Sequence, residues 1–312
     1  MKIAFVFPGQ GSQSVGMLNG FAGNPAVDGV VARAGAALGI DLAQLVAEGP
    51  VEQLNLTTNT QPVMLTAGVA FYAAWRAAGG PVPAVVAGHS LGEYAALVAA
   101  EALSLEDAVR LVRIRADAMQ SAVPVGQGGM AAILGLDDDT VRLACAAAAD
   151  GEIVEAVNFN APAQVVIAGH KAAVERACEA AKAAGAKRAL SLPVSAPFHS
   201  SLMKPASVVL ADALGKIEVG SPVIPVVNNV DVVAATEPAA IADALVRQAW
   251  HPVRWVETIH AMKAMGVTHV IECGPGKVLA GLVKRIDSSL VGLAITDQAS
   301  LEAALAVVRQ PD

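Results

Sequence analysis

One serine in the chain stands in a setting that could make it a nucleophile. Ser90 lies within GHSLG at residues 88–92, between an apolar run that predicts a short strand and an alanine-rich run that predicts a helix. The two glycines permit a sharp bend that would expose the Ser90 hydroxyl at the strand end. The N–H of Leu91, at the helix start, is then the natural first donor to a developing oxyanion. The alternative is a glycine-rich turn with an incidental serine, but the flanking strand and helix favour the nucleophile.

A serine nucleophile needs a base, and the chain has six histidines. His199 lies between the last strand of a predicted small domain and a following helix, where the chain crosses back through a presumed cleft. We predict His199 as the base and keep His251, which precedes a proline in a turn, as the second choice. No acidic residue stands out as the third member of a triad, and a backbone carbonyl could orient the imidazole equally well.

Arg115 is a cation on the apolar face of a predicted helix that begins after Ser104. On a 3.6-residue wheel it falls in the middle of an apolar stripe, which consists of Ala108, Leu111, Val112, Met119 and Ala122. A buried guanidinium is costly without an anion. That anion could be a protein carboxylate in an internal ion pair, which is the commoner case, or a substrate carboxylate held bidentately.

The order of predicted elements indicates where these side chains meet. Residues 125–195 are expected to fold as βαββαβ, the order of the ferredoxin-like fold. Residues 1–124 and 196–312 are expected to form one discontinuous, larger α/β domain with a parallel sheet. Ligands bind at domain interfaces and beyond strand ends, so we expect Ser90 in the cleft between the two domains.

Composition and charge exclude several classes of function. A hydrophobic share of 54% with 16% charged residues indicates a large folded core, and the net charge of -7 argues against nucleic-acid binding. No uncharged apolar run reaches the roughly 18 residues of a membrane span, and no signal peptide is recognised. Three cysteines, far apart and without a C-x-x-C pair, argue for reduced thiols and against a metal site. We therefore expect a cytoplasmic protein with neither nucleic acid nor a membrane as partner.

A set of motifs across the chain resembles that of a known enzyme family. The motifs are FPGQGSQ at 7–13, TQP at 60–62, GHSLGEY at 88–94, Arg115, PFHS at 197–200, PVRW at 252–255 and GPGK at 274–277. Together they are similar to those of the malonyl-CoA:acyl carrier protein transacylases of type II fatty acid synthesis, over residues 1 to 286. The resemblance implies a hydrolase-like α/β core with an inserted ferredoxin-like domain, in agreement with the element order.

The resemblance also implies roles for the candidate catalytic residues. Ser90 would be the nucleophile and His199 its base, with the backbone carbonyl of Gln248 orienting the imidazole. The N–H groups of Gln10 and Leu91 would form the oxyanion hole. On its residues alone, the loop that contains Gln10 is equally consistent with a ligand-binding loop and with a plain turn.

The resemblance implies further roles in substrate binding. Arg115 would hold the malonyl carboxylate, which favours the substrate alternative over the internal ion pair. Gln61, Met119 and Phe198 would complete the substrate-binding wall. Phe198 before the predicted base resembles the malonyl-selecting form of this loop, not the methylmalonyl-selecting form.

The expected activity is ping-pong transfer of a malonyl group from malonyl-CoA to the phosphopantetheine thiol of an acyl carrier protein. In this reaction the coenzyme A thioester is a substrate, and we expect no permanently bound cofactor. We also expect the protein to be a monomer. A serine hydrolase or thioesterase on the same core, and a non-catalytic carrier-docking module, are the rival interpretations. An acidic carrier would need a local basic patch, for which the candidates are Lys187, Arg188, Lys204, Lys277 and Lys284.

Overall fold

The computed structural model describes residues 1–194 and 196–310. The strands in these residues are β1 (Ile3–Phe7), β2 (Val85–Gly88), β3 (Gly128–Leu134), β4 (Val154–Ala161), β5 (Gln164–His170), β6 (Arg188–Ser191), β7 (Val226–Val227), β8 (His269–Cys273) and β9 (Val291–Ile295). The α-helices are α1 (Pro25–Leu38), α2 (Leu42–Glu48), α3 (Val51–Leu54), α4 (Thr57–Ala77), α5 (Gly92–Ala99), α6 (Leu105–Ser121), α7 (Asp138–Ala148), α8 (Lys171–Ala183), α9 (Lys204–Leu214), α10 (Pro238–Gln248), α11 (Trp255–Ala264), α12 (Val278–Ile286) and α13 (Gln298–Val308).

Five strands form a parallel sheet in the order β7-β2-β1-β8-β9. Every residue of β1 and β2 is buried, because two separate hydrophobic clusters pack against the sheet and leave neither strand a polar face. Phe7 at the end of β1 pairs with Gly88 at the end of β2. The loops that follow these strands, with Gln10 and Ser90, therefore leave the sheet side by side.

A second sheet is antiparallel and has the strand order β4-β5-β3-β6. Helices α7 and α8 cover one of its faces with a core of alanine, valine and cysteine side chains. On the other face Met130, Val157 and Val166 pack towards Phe198, which belongs to the segment that returns to the parallel sheet. The second sheet thus turns an apolar face towards the predicted base.

Backbone hydrogen bonds join β4 of the antiparallel sheet to the segment that follows α10. The N–H of Phe159 on β4 donates to the carbonyl of Val253 at 3.0 Å, and the N–H of Val253 donates to the carbonyl of Val157 at 2.8 Å. Because Val253 follows α10, this bond pair extends the edge of the antiparallel sheet with a residue from the larger part of the chain. Main-chain hydrogen bonds therefore join the two parts of the chain at this edge.

The predicted fold class is confirmed: a parallel-sheet α/β core accompanies a βαββαβ unit of ferredoxin-like strand order. The domain boundaries, 1–124 with 196–312 around 125–195, stay a prediction, and Ser195 lies outside the described residues. Sequence patterns did not predict α2, α3, β9 or α13, and the strand expected at 223–228 is reduced to Val226–Val227.

No single helix among the described residues is both long and apolar enough to span a bilayer. Helices α1 and α2 reach that length and composition only in combination, and they are bent by 117° relative to each other.

Candidate active site

The turn from β2 to α5 presents Ser90 in a strained conformation. Its φ angle is +53°, in the left-handed region that residues with a side chain rarely adopt. A Cβ atom at Gly88 would lie 1.8 Å from the carbonyl carbon of Gly92, and one at Gly92 would lie 2.0 Å from the carbonyl oxygen of Phe7. Both glycines are therefore required for the tight turn, as predicted.

Ser90 and His199 are hydrogen-bonded across the cleft. The Ser90 Oγ lies 2.6 Å from His199 Nε2, and His199 Nδ1 donates to the backbone carbonyl of Gln248 at 2.8 Å. This carbonyl fixes the tautomer, so Nε2 is unprotonated and can accept the serine proton. Burial, with the charge of Arg115 second, lowers the pKa of His199 to about 3. The imidazole is therefore neutral at physiological pH, as a general base must be.

Arg115 is buried, at 2% exposure, beside Ser90. Its Nη1 donates to Gln61 Oε1 at 2.9 Å, and its Nη2 donates to Gln248 Oε1 at 2.9 Å and to Ser90 Oγ at 3.2 Å. The Tyr94 ring lies 5.4 Å from the guanidinium carbon. Over the residues that the structure describes, no carboxylate oxygen lies within 4.0 Å of the guanidinium. The internal ion pair that the sequence left open is absent from this part of the chain.

A second layer of hydrogen bonds behind Ser90 was not predicted. Asn229 Oδ1 accepts from the N–H of Ser90 at 2.7 Å, and Asn229 Nδ2 donates to the carbonyl of Gly88 at 2.7 Å. Glu93 Oε2 accepts from the N–H of Asn229 at 3.0 Å and from Gln248 Nε2 at 2.9 Å. The only sequence signal for this layer was an acidic residue in the first turn of an otherwise apolar helix, α5.

A cavity of about 130 Å³ opens over Ser90. Most of the predicted site residues line it: Gln10, Gln61, Ser90, Leu91, Arg115, Phe198 and His199. The antiparallel sheet contributes the opposite wall through Met130 and Asn158. The cavity thus lies where the sequence placed it, between the two parts of the chain.

Two predicted residues contribute to the site from outside this cavity. Gln248 acts through the hydrogen bonds of its backbone and side chain. Met119 is fully buried behind Gln61, with its sulfur 4.0 Å from Gln61 Nε2. Met119 therefore packs behind the cavity wall and does not line the cavity itself.

The other histidines near the cleft make different contacts. His251, the second choice for the base, donates from Nδ1 to the carbonyl of Arg247 at 2.9 Å. Its ring lies 3.8 Å from the Trp250 ring between centroids, with the two planes tilted by 49°. His89 Nε2 donates to Asn160 Oδ1 on β4 at 2.8 Å, and burial lowers its pKa. His251 therefore does not share the Ser90 cavity, and His89 ties the elbow to the antiparallel sheet.

Among the described residues, no cluster of three or more His, Cys, Asp or Glu side chains could hold a metal ion. The three cysteines are buried and free, and burial raises the pKa of Cys145 to about 12. Neither group adds a second chemical function to the cleft.

A family described as the acyl transferase domain matches residues 4–309 of this chain. The chain belongs to this acyl transferase family. A curated relative, the malonyl CoA-acyl carrier protein transacylase of Salmonella typhimurium, is 57% identical over 305 residues, which are 97% of this chain and 99% of that protein.

Solved structures resemble this acyl transferase throughout its length. The acyl-carrier-protein S-malonyltransferase of Burkholderia pseudomallei is 66% identical with a TM-score of 0.97, covering 98% of this chain and 100% of that one. A malonyl-transacylase solved in complex with a type II PKS acyl-carrier protein is 52% identical with a TM-score of 0.97, over 98% of this chain and 100% of that one. These matches confirm the predicted family and the acyltransferase activity.

Proposed function

We propose that this acyl transferase carries a malonyl group from malonyl-CoA to the phosphopantetheine thiol of an acyl carrier protein, by way of a malonyl ester on Ser90. The observation that carries the proposal is the buried Arg115 guanidinium, which donates to the Ser90 hydroxyl and otherwise contacts neutral oxygens. A carboxylate at the far end of the acyl group would supply the missing anion. The relatives' names agree with this activity, which supplies fatty acid synthesis.

In the first half-reaction Ser90 Oγ attacks the thioester carbonyl while its proton passes to His199 Nε2. The tetrahedral oxyanion accepts hydrogen bonds from the backbone N–H groups of Gln10 and Leu91, both of which border the cavity. Collapse breaks the carbon–sulfur bond, and coenzyme A leaves with the proton held by His199. The carbonyl of Gln248 stabilises the transient imidazolium through its bond to Nδ1.

The second half-reaction reverses this sequence with a new thiol. The carrier's phosphopantetheine thiol gives its proton to His199 Nε2 and attacks the malonyl ester, and Ser90 Oγ leaves with that proton. Both halves pass through an oxyanion at the same place, so one pair of N–H donors serves both.

Arg115 would select the acyl group. A malonyl carboxylate can accept one hydrogen from each Nη of Arg115, while the other hydrogen of each stays on the amide oxygen of Gln61 or Gln248. An acetyl group offers no acceptor there and leaves a desolvated cation facing an apolar methyl. Phe198 would limit bulk beside the malonyl group, since it lines the same cavity.

A second cavity, of about 200 Å³, adjoins the first and shares Gln10 and His89 with it. Its walls combine polar groups, such as Ser12 and Asn160, with apolar side chains of α12. A phosphopantetheine arm alternates amides with methylene groups, so this chemistry suits the arm of coenzyme A and of the carrier alike.

An acidic carrier would dock on local basic residues, and those predicted from the sequence are Lys187, Arg188, Lys204, Lys277 and Lys284. Lys204 Nζ lies 4.7 Å over the Trp250 ring, and Lys277 immediately precedes α12. The docking patch, the monomeric state and the cytoplasmic location stay predictions.

The proposal is tested by mass spectrometry of a carrier protein incubated with malonyl-CoA and catalytic amounts of the enzyme. We expect the holo carrier, which bears the thiol, to gain one malonyl group. The apo carrier, which lacks the thiol, is the matched control and should stay unmodified. Release of free malonate with no malonyl carrier would instead identify a hydrolase and contradict the proposal.

A further inference from the structure

Glu93 is a buried carboxylate directly behind the nucleophile. It lies in the first turn of α5 and is 2% exposed. The reaction described above gives it no part. Its Oε2 accepts from the N–H of Asn229 and from Gln248 Nε2. Gln248 contacts Arg115 and His199, whereas Asn229 contacts the turn that contains Ser90.

The first branch passes through the Gln248 side chain. Its Nε2 donates to Glu93 and to the carbonyl of Ser90 at 2.9 Å, while its Oε1 accepts from Arg115 Nη2. An amide has one donor end and one acceptor end, and a carboxylate can only accept. Arg115 can only donate and the Ser90 carbonyl can only accept, so ionised Glu93 adds a second, charged acceptor that strengthens the orientation in which Gln248 Oε1 faces Arg115. The backbone of the same residue holds His199, so this branch reaches both the cation and the base.

The second branch passes through Asn229. Its side chain bridges the N–H of Ser90 and the carbonyl of Gly88, which are the two sides of the strained turn. Glu93 holds the backbone of Asn229 by one hydrogen bond. This branch maintains the positive φ angle at Ser90 that exposes the hydroxyl.

Charge adds to the hydrogen-bond geometry. Burial raises the pKa of Glu93 to about 7, against the bonds from Gln248 and Asn229 and the charge of Arg115, which act to lower it. Asp231, beyond β7, raises the pKa a little further. Tyr94 beside it stays neutral, because burial raises the pKa of that phenol to about 12.

We propose that Glu93 is a positioning residue of the transfer reaction, which as an anion holds Gln248 and Asn229 and so aligns Arg115 and His199 with the acyl group on Ser90. The inference rests on the proposed function. Ionised Glu93 makes no direct contact with Arg115 but acts on its charge from a greater distance, and neutral Glu93 would remove that effect. The substrate carboxylate would then bind no more weakly, but the Gln248 amide would be held by weaker hydrogen bonds and His199 would be a weaker base.

Glu93→Gln, which keeps the shape and removes the charge, tests this directly. At pH 8 we expect kcat for malonyl transfer to fall about tenfold, as for loss of a hydrogen bond to a charged group, with KM for malonyl-CoA unchanged or lower. Rates are expressed per reactive Ser90, counted with an uncharged fluorophosphonate, so that misfolded protein does not enter the comparison. A kcat within about twofold of the parent enzyme overturns the inference.

The pH profile supplies a readout that a merely structural role would not change. The parent kcat should step down as the pH falls through about 7, because Glu93 gains a proton there. Glu93→Gln should show a flat profile from about pH 5.5 to about pH 8, since His199, with a pKa of about 3, stays neutral over that range. A parent profile without this step contradicts the inference even if the variant does not fold.

Glu272→Gln is the matched control. Glu272 on β8 is equally buried, has a pKa raised by burial to about 7, and accepts from the N–H of Ala280. We expect this variant to keep the parent kcat and the step in its pH profile.

If the parent enzyme forms no malonyl ester, the proposed function fails. The rate at which the fluorophosphonate reacts with Ser90 then serves as the readout for Glu93. We expect the same step near pH 7 in that rate, and a rate without the step would contradict the role of Glu93.

Discussion

Arg115 is a buried cation whose direct partners among the described residues are neutral oxygens of Gln61, Gln248 and Ser90. Burial lowers the pKa of the guanidinium, but the pKa of arginine is so far above neutral pH that the group keeps its charge. Such a cation is stabilised strongly by a ligand carboxylate, because little water competes for it. We therefore propose that the choice of a carboxylate-bearing acyl group depends mainly on this side chain and its desolvation.

Arg115→Ala should lower kcat/KM for malonyl-CoA by about 30-fold or more, since breaking a buried, hydrogen-bonded charge pair costs several kcal/mol. Transfer from acetyl-CoA should improve relative to malonyl transfer, because the unpaired cation is gone. The comparison is made by steady-state kinetics with both thioesters. Arg110→Ala is the control, as Arg110 lies on the same helix but is exposed and paired with Asp107. Equal losses for the two substrates would mean that Arg115 is not the clamp.

At the scale of elements, the strand–turn–helix around Ser90 stores strain that only glycine neighbours tolerate. Gly92→Ala should abolish the turn, because its Cβ would lie 2.0 Å from the carbonyl oxygen of Phe7 in β1. We expect a loss of at least about 2 kcal/mol of unfolding free energy, measured by urea denaturation, and loss of Ser90 labelling by a fluorophosphonate.

Gly29→Ala is the matched control for that substitution. Gly29 lies exposed within α1, and an added Cβ would meet no atom within 4 Å. The change should stabilise the protein by about 0.5–1 kcal/mol and leave labelling intact. Normal labelling and stability of Gly92→Ala would show that the turn is less constrained than its contacts indicate.

Elements with strong local signals were predictable from the sequence. Helix α6 begins after Ser104, whose side chain accepts from the N–H of Asp107 at 3.0 Å. The periodicity of apolar residues in this helix correctly predicted that Arg115 points inwards. The Glu93 and Asn229 bonds were not predictable from residue patterns, because they join segments separated by 136 residues in sequence. Their partners are brought together by strand order, which periodicity does not encode. The resemblance, not the pattern, supplied the role of the Gln248 carbonyl.

At the scale of the whole molecule, the site exists because the strand ends of the parallel sheet lie opposite one face of the antiparallel sheet. The parallel sheet presents Ser90, while the antiparallel sheet closes the opposite wall and is tied back through Val253 and through the His89–Asn160 bond. His199 lies on the segment between β6 and α9, so its hydrogen bond to Ser90 joins the segment that leaves the antiparallel sheet to the turn after β2.

The malonyl ester on Ser90 is the most direct test of this account. The enzyme is exposed briefly to malonyl-CoA without a thiol acceptor, digested at low pH, and analysed by peptide mass spectrometry, with Ser90→Ala as the control. The account predicts one malonyl group on the peptide that contains Ser90, lost on addition of holo carrier and absent from the variant. Malonylation of the carrier while Ser90 stays unmodified, or an ester on another residue, would contradict it.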